Sequence, residues 1–518
     1  MKSTVLILIA ISVYLIGMLV IGFVCSRRNK NTDDFYLGGR KLGPFVTAMS
    51  AEASDMSSWL LMGLPGLAML TGLAQPAWTA VGLAIGTYLN WLIVAKRIRV
   101  YSHKVNAITI PEFFSKRYKD DKNILSIIAA LVIIIFFVPY TASGFAACGK
   151  LFSTVLGVDY LKAMIVCAVI ICIYCVMGGF LAASTTDFVQ SIVMTIALVV
   201  VIGYGEATGS AGNAAFGFDG IIDSVKNLPG YLSLNSYYDA SAGSAVPFGI
   251  LSIASLLAWG LGYFGMPHVL LRFMAIDDAK KLKTSRRVAT VWVIISMGIA
   301  VMIGITGYAL VQAGVIADPA DPNKETVIIE IAQAISKYGY IFALCAGVIL
   351  AGILAATMST ADSQLLTAAS GVTNDICKEF FKIKLSDKIS MLIARLSVIA
   401  IAILAVIFAR DPDSSVFQVV SFAWAGFGAS FGPVMLAALF WKRSTKWGAL
   451  AGMISGGAMV FIWKYGISKL GGVFAIYELL PAFVFGLLVL VIVSLITKKP
   501  DKEIISEFDE MAKECKAK

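Results

Sequence analysis

The sequence predicts an all-α membrane protein of about thirteen transmembrane helices, two of which are interrupted. Of its 518 residues, 58% are hydrophobic and only 14% are charged, whereas soluble domains carry about 25% charged residues. Apolar stretches of about 20 residues, enough to cross a bilayer as a helix, recur along almost the whole chain. Lipid offers no partners to the backbone, and the alternating segments of a β-barrel do not occur, so these stretches are predicted to be helices.

The apolar stretches define the predicted spans, and no polar linker between them is long enough to separate two folded domains. We therefore expect one transmembrane domain over residues 1–497 and a charged, frayed tail over residues 498–518. The first span has no small-residue cleavage site, so we expect it to be retained. The predicted spans are 5–25, 43–72, 75–95, 123–148, 158–182, 187–206, 246–275, 287–312, 340–373, 390–409, 415–440, 446–468 and 476–497.

Lysines and arginines concentrate in alternate connections, and this pattern predicts the orientation of the chain. Connections rich in these residues stay on the cytoplasmic side, whereas the long connections at about 206–245 and 313–339 contain few of them. The N-terminus is therefore expected outside and the C-terminus in the cytoplasm, which requires an odd number of spans. The basic clusters are Arg27, Arg28, Lys30, Arg40 and Lys41; Lys96 to Lys122; Lys280, Lys281, Lys283, Arg286 and Arg287; Lys442, Arg443 and Lys446; and the tail from Lys498.

The second and seventh spans have compositions that a regular membrane helix does not tolerate. The second contains two carboxylates, Glu52 and Asp55, followed by a Gly-Leu-Pro-Gly run at residues 63–66. The seventh contains three glycines and a proline between Trp259 and His268. Because the two spans are five apart, we expect two structural repeats of five helices, over about 43–206 and 246–440. In carriers built this way, the solute and ion bind between the broken helices.

Other classes of function fit the sequence less well. Gly260, Gly262 and Gly265 form a GxGxxG pattern, but dinucleotide sites need this pattern between a strand and a helix. The net charge of +10 comes from short connections and not from one basic face, so nucleic acid is not an expected partner. With two histidines and no nucleophile or metal constellation, we expect neither an enzyme nor a cofactor beyond a coupling ion. A sensor would need a signalling domain, for which the tail is too short.

Oxygen-bearing residues of the ninth span indicate a site for a monovalent cation. Ala356, Ser359 and Thr360 share one helical face by their i, i+3, i+4 spacing, so two hydroxyls and a carbonyl converge. Hard cations take oxygen ligands, including carbonyls freed by an interrupted helix. With the break at residues 53–56 and Asp55 beside it, this pattern favours sodium. The alternatives are that the hydroxyls only bond within their helix bundle and that Asp55 only caps a helix.

Aromatic residues near the breaks indicate a solute pocket. Trp59, Tyr140, Trp259 and Tyr263 lie in the apolar spans, and Trp259 and Tyr263 flank the glycines of the seventh. Aromatic residues of membrane proteins also form belts at the two interfaces, which is the alternative interpretation. The position of Trp259 and Tyr263 near mid-span favours the pocket.

Several stretches match motifs of one known family. They are Tyr36 to Arg40 with Leu42 to Phe45; Ser54 to Ser57 with Trp59 to Gly66; Gly178 to Ala182 leading to Asp187; Trp259 to Arg272; Met358 to Thr360; and Ala423 to Gly428 running to Trp441. They follow one another in order over most of the chain and thin out in the two outer loops. On these motifs the chain resembles the sodium/solute symporter family, and most closely its sodium/proline branch.

The resemblance implies a LeuT-like core of two inverted five-helix repeats and sodium-coupled import of L-proline across the cytoplasmic membrane by alternating access. Another amino acid, a sugar or pantothenate is the alternative solute, and the oligomeric state stays open. By position, the resemblance implies sodium ligands at the carbonyls of Ala53, Met56 and Ala356 and the hydroxyls of Ser359 and Thr360, with Asp55 in support; solute contacts at Ser57, Trp59, Tyr140, Trp259, Tyr263 and Pro267; and coupling or gating roles for Arg40 and Asp187.

Three positions depart from the pattern of the proline carriers. Ser58 stands where they usually have glycine, Thr185 where they have tryptophan, and Glu52 where they often have a small residue. We expect these departures to affect binding affinity, and the binding of an additional ion or proton, more than they affect the fold.

Overall fold

The computed structural model describes residues 2–26, 32–207 and 218–516. Arg27, Arg28 and Lys30 of the first basic cluster, and residues 208–217 of the long outer connection, lie outside this part. The described residues form twenty α-helices and one antiparallel hairpin, β1 (Ser236–Asp239) with β2 (Ser244–Pro247). The helices are α1 (Lys2–Ser26), α2 (Thr32–Leu37), α3 (Pro44–Asp55), α4 (Leu64–Thr71), α5 (Ala74–Leu89), α6 (Ala95–Lys104), α7 (Ile110–Arg117), α8 (Ile124–Leu156), α9 (Tyr160–Ala207), α10 (Phe218–Val225), α11 (Ile250–Leu257), α12 (Pro267–Ala275), α13 (Leu282–Gln312), α14 (Val327–Ile335), α15 (Tyr340–Ser370), α16 (Asp387–Phe408), α17 (Val416–Phe440), α18 (Lys446–Tyr465), α19 (Leu479–Ile496) and α20 (Lys502–Lys516).

Among the described residues, ten helical stretches are long and apolar enough to cross a membrane, or up to eleven when the bent pair α11–α12 counts as one span. Two features separate this number from the thirteen predicted. The predicted fifth and sixth spans lie in one element, α9, which is kinked at Gly179 (φ 66°, ψ −178°). The predicted second span is divided into α3, a π-helical turn at Trp59–Gly63 and α4, and neither helix alone is long enough to cross.

The helices differ strongly in how much of their surface other helices cover. In its most apolar stretch, α17 is 83% buried and the span Tyr340–Phe380, which contains α15, is 72% buried. The corresponding value for α1 and α16 is 28%. Because a helix that is apolar all round must be covered by protein or lipid, α15 and α17 form the centre of the bundle, and α1 and α16 present apolar side chains at its periphery.

Hydroxyl side chains fix the starts of four helices at their polar ends. Thr109 before α7, Ser386 before α16, Ser415 before α17 and Thr445 before α18 each accept a hydrogen bond from the backbone N–H three residues later. This contact satisfies one of the free N–H groups at a helix start.

The segment Ala258–Gly265 between α11 and α12 is a 3₁₀ helix packed between two neighbours through glycine. A Cβ atom at Gly86 of α5 would collide with the backbone of Gly260, and one at Gly265 would collide with the carbonyl of Phe427 in α17. A Cβ atom at Gly262 would collide with the indole of Trp424. Glycine therefore allows the backbone of this segment to touch α5 on one side and α17 on the other.

The prediction of a frayed tail is wrong, because α20 forms an ordered helix packed against α6. Its apolar residues Ile504, Phe508 and Met511 follow the i, i+4, i+7 spacing of one helical face and are buried. On its polar face, Lys119 forms ion pairs with Glu503 and Glu507, the latter at 2.9 Å. The spacing of these apolar residues is visible in the sequence and was the available signal for this helix.

Candidate functional site

Helix α3 ends at Asp55 because the following polar residues form hydrogen bonds that compete with the helix. The Met56 N–H still donates to the carbonyl of Glu52 at 2.8 Å, but Met56 itself has φ −77° and ψ 71°, outside the helical region. The Ser57 hydroxyl accepts a hydrogen bond from the Trp59 N–H at 3.1 Å, which starts the next turn. The chain therefore leaves and re-enters helical structure within three residues, all buried.

Helix α15 presents its predicted hydroxyls to this break. The Ser359 hydroxyl lies 2.7 Å from the carbonyl oxygen of Ala53 and 3.1 Å from that of Ala356. The Thr360 hydroxyl lies 3.5 Å from the same Ala53 oxygen. All four residues are buried. Two helices thus bring two carbonyls and two hydroxyls to one point, a set of oxygen donors of the kind that hard cations bind.

The two remaining residues of the predicted ion site occupy different places. Met56 lies at the end of α3, three residues after Ala53, where the backbone leaves the helical conformation. The Asp55 Oδ2 accepts a hydrogen bond from the Tyr263 hydroxyl at 2.7 Å. The Tyr140 hydroxyl donates to the Asp55 backbone carbonyl at 3.1 Å. Asp55 therefore connects the oxygen cluster at Ala53 to two of the predicted pocket residues.

The predicted aromatic residues meet beside this break. The Trp59 and Trp259 rings lie 5.5 Å apart between centroids, and Trp259 is followed within the same 3₁₀ segment by Tyr263. The indole N–H of Trp59 is buried and has no hydrogen-bond partner in the described part of the chain. Pro267 lies at the start of α12, where the chain bends by 48° after an extended residue at Met266. The two interrupted segments thus share one aromatic wall.

Three further aromatic residues belong to this wall and were not predicted from the residue pattern. Phe417 stacks on Trp59 at 5.9 Å, and Tyr477 stacks on Trp259 at 5.0 Å. The Trp424 indole N–H donates to the Trp259 carbonyl at 2.8 Å. Trp424 lies in a stretch that the family resemblance had marked. Phe417 and Tyr477 carry no such signal, because they reach the wall only through the packing of α17 and of the segment before α19.

Asp187 lies in a buried network whose partners Ser50 and Ser363 are about one helical turn from the oxygen cluster, on α3 and on α15. Its Oδ2 accepts hydrogen bonds from Ser50 at 2.7 Å and from Arg272 at 3.1 Å. Arg272 also donates to the Ser363 hydroxyl at 2.5 Å. Arg272, which was not predicted, therefore neutralises Asp187 and joins α3, α9, α12 and α15. A single arginine within the apolar run of α12 was the available signal.

The structure does not bring Arg40 to the oxygen cluster. Arg40 has a left-handed backbone (φ 54°) and donates to the carbonyls of Ala107 at 2.6 Å and Met274 at 2.9 Å. It also donates to the Ser102 side chain at 3.2 Å. Arg40 therefore joins the ends of α6 and α12 away from the aromatic wall, which fits a role between helices better than one in ligand contact.

A buried ion pair lies near the start of α17. Lys150 of α8 and Glu325 are both less than 5% exposed, and their charged atoms are 2.7 Å apart. Glu325 also accepts hydrogen bonds from the Ser415 hydroxyl and the Phe417 N–H, both at 3.0 Å. The pair thus fixes the position of Phe417 on the aromatic wall. Lys150 is the single charged residue of the apolar helix α8 and was the available signal, whereas Glu325 lies in a polar connection.

The chain is similar to known proteins over almost its whole length. The family model described as "Sodium:solute symporter family" matches residues 35–456. The osmoregulated proline transporter OpuE of Bacillus subtilis (strain 168) is 43% identical over 99% of both chains. The sodium/proline symporter of Escherichia coli (strain K12) is 41% identical over 97% of this chain and 95% of its own length, and that of Haemophilus influenzae is 40% identical over 98% of both.

Two solved structures share the fold. A Na⁺-coupled sialic acid symporter in a substrate-bound outward-open state superposes with a TM-score of 0.76, at 19% identity over 96% of this chain and 99% of its own. The nucleobase-cation symporter Mhp1 gives a TM-score of 0.53 at 13% identity, over 93% and 99%. Together with the membrane-length helices described above, the family match and the curated relatives place the chain in a membrane.

Proposed function

The chain belongs to the sodium:solute symporter family, and on this premise we propose that it imports L-proline together with sodium across the cell membrane by alternating access. Relatives about 40% identical over nearly the whole chain are sodium/proline symporters. The observation that carries the proposal is the position of Asp55, whose hydrogen bonds join the oxygen cluster at Ala53 to the aromatic wall at Tyr263. Ion and solute would therefore bind next to each other.

In this proposal sodium is the coupling ion and is held between α3 and α15. Its ligands would be the carbonyls of Ala53, Met56 and Ala356 and the hydroxyls of Ser359 and Thr360, with Asp55 in electrostatic support. The donor set is supported by the convergence of four of these oxygens and by the absence of nitrogen or sulfur among them. When bound, sodium joins the broken helix to α15 and thereby stabilises the arrangement that receives the solute.

Proline is a zwitterion with an apolar ring, so it needs both an aromatic wall and partners for its charged groups. The ring would pack on Trp59 and Trp259, bordered by Tyr140, Tyr263 and Pro267, and the buried Trp59 N–H offers a donor to the carboxylate. Freed backbone N–H groups and the Ser57 side chain at the helix break provide further partners. Arg40 and Asp187 would act on coupling or gating through the helices that they join.

We further propose thirteen membrane crossings in a LeuT-like arrangement. The number follows when α9 is counted as two crossings about its kink at Gly179, and α3–α4 and α11–α12 as one interrupted crossing each. The two interrupted crossings would then begin the two inverted repeats. The N-terminus would lie outside and the C-terminus in the cytoplasm. The contacts of α20 with Lys104 and Lys119 support this orientation, because they put the C-terminus on the same side as the basic connection after α5.

Sodium coupling would drive substantial accumulation. One positive charge moving across 100 mV contributes about 2.3 kcal/mol, and a tenfold sodium gradient contributes about 1.4 kcal/mol. With one sodium per solute, these terms support accumulation of roughly several hundredfold.

Uptake of labelled L-proline into proteoliposomes tests the function. We expect uptake with an inward sodium gradient, none when potassium replaces sodium, and inhibition by excess unlabelled proline. Other amino acids, sugars and pantothenate, tested at the same excess, should leave uptake unchanged. Sodium-independent uptake would refute the coupling, and stronger inhibition by another solute would refute the substrate.

A further inference from the structure

We propose that Glu52, Asp55, Thr87 and Asn90 form a second sodium site, separate from the one at Ala53. This site would lie between α3, the end of α5 with the π-helical turn Asn90–Val94 that follows it, and the 3₁₀ segment Ala258–Gly265. The proposal rests on the sodium coupling proposed above and adds a second ion to it.

The four side chains are connected through Tyr263 and Trp91. Glu52 and Asp55 are three residues apart on α3 and therefore share one helical face. The Trp91 indole N–H donates to Glu52 Oε1 at 3.0 Å, while the Tyr263 hydroxyl donates to Asp55 Oδ2. The Thr87 side chain lies beside the Tyr263 hydroxyl, and the Asn90 amide donates to the Tyr263 carbonyl at 3.0 Å.

Each of the four side chains retains an oxygen atom without a hydrogen-bond donor. In the described part of the chain, Glu52 Oε2, Asp55 Oδ1 and Asn90 Oδ1 are buried and have no partner, and the buried Thr87 Oγ1 beside the Tyr263 hydroxyl accepts no hydrogen bond. None of these residues is more than 5% exposed. Buried polar atoms are nearly always satisfied in folded proteins. Two of these oxygens come from neutral side chains of another helix, so the feature is more than a pair of neighbouring carboxylates.

A bound cation would balance the two carboxylates of this region. Among the described residues, neither Glu52 nor Asp55 forms an ion pair, whereas Asp187 is neutralised by Arg272 and Glu325 by Lys150. A carboxylate at membrane depth is costly unless it is paired. One sodium at Ala53 would leave one of the two negative charges unbalanced. A second sodium beside Glu52 balances both, with the all-oxygen coordination that a hard cation prefers.

The two sites would be separated by α3 itself. The first uses the Ala53 carbonyl and faces the hydroxyls of α15, whereas Glu52 faces Trp91 on the π-helical turn after α5. Two sodium ions per proline would double the driving force and therefore square the limiting accumulation ratio, from several hundredfold to roughly 10⁵-fold.

Equilibrium binding of ²²Na⁺ to the purified full-length protein tests the proposal. We expect two sodium ions per chain for the native protein and one for Glu52→Gln, which keeps the acceptor for Trp91 but removes the charge. Ser359→Ala should weaken the other ion and leave the one at Glu52. Glu330→Gln, which changes a half-buried carboxylate of α14 away from both sites, should still bind two.

Thr87→Val, which keeps the shape of the side chain and removes one oxygen, provides a second variant if Glu52→Gln does not fold. It should weaken the binding of one of the two ions by about tenfold. A native count of one, or a count of two that Glu52→Gln and Thr87→Val both leave unchanged, would overturn the second site. Proton release in place of the second ion would also overturn it. Absence of any sodium binding would instead refute the proposed coupling itself.

Discussion

Removal of the Ser359 hydroxyl should raise the sodium requirement of uptake without abolishing insertion of the protein. The hydroxyl lies within 3.1 Å of two carbonyl oxygens from different helices, so an ion held by those carbonyls would be in its reach. A contact with a charged partner contributes about 1.5–3 kcal/mol. The sodium concentration for half-maximal uptake should therefore rise about 10- to 150-fold in Ser359→Ala.

Initial rates of labelled proline uptake into proteoliposomes, measured against external sodium, give this value directly. Proline affinity at saturating sodium should stay near that of the native protein, because the lost contact is with the ion. Thr357→Val is the matched control: its hydroxyl is on the same helix but bonds to the Ile353 carbonyl at 3.0 Å, and its loss should not change the sodium dependence. A sodium dependence in Ser359→Ala within twofold of the native protein would refute the assignment.

Two further predictions concern the aromatic wall and the ion pair beside it. Trp259→Ala removes one of the two rings on which the proline ring would pack, together with the contacts that hold Trp59 and Tyr477 in place, so calorimetric proline binding should weaken about tenfold or more while sodium binding persists. A loss of folding yield alone would make Trp259 a packing residue. Lys150→Met leaves Glu325 buried without its cation, at a cost of about 3–5 kcal/mol, and should lower the thermal unfolding midpoint. Adding Glu325→Gln should recover part of that loss, and equal midpoints for the single and double variants would contradict the reasoning.

Local sequence patterns predicted those parts of the site whose conformation depends on residues close together in the chain. The i, i+3, i+4 spacing in the ninth span brought Ala356, Ser359 and Thr360 to one face, because a helix imposes that geometry. Glycine and proline identified the segment between Trp259 and Pro267 as irregular for the same kind of reason.

Contacts between distant segments were not predictable in this way. Phe417 and Tyr477 join the aromatic wall only after α17 and the segment before α19 pack against Trp259. Arg272 finds Asp187 across 85 positions of the sequence. Helix α20 is different, because the apolar spacing of Ile504, Phe508 and Met511 was visible in the sequence and the prediction gave more weight to the charges of the segment. For Phe417, Tyr477 and Arg272, the contact depends on where the fold places the partner residue, and the local sequence does not contain that information.

The glycine contacts of the 3₁₀ segment Ala258–Gly265 also restrict how the bundle can move. Backbones that touch directly, as those of Gly86 and Gly260 do, have no intervening side chains that could change rotamer and absorb a displacement. Gly265 makes the same kind of contact with α17. A shift of this segment must therefore carry α5 and α17 with it as one block. Other helices can slide against this block only at surfaces where larger side chains separate them. The movements that open the binding site to one side of the membrane and then to the other would therefore take place at those surfaces.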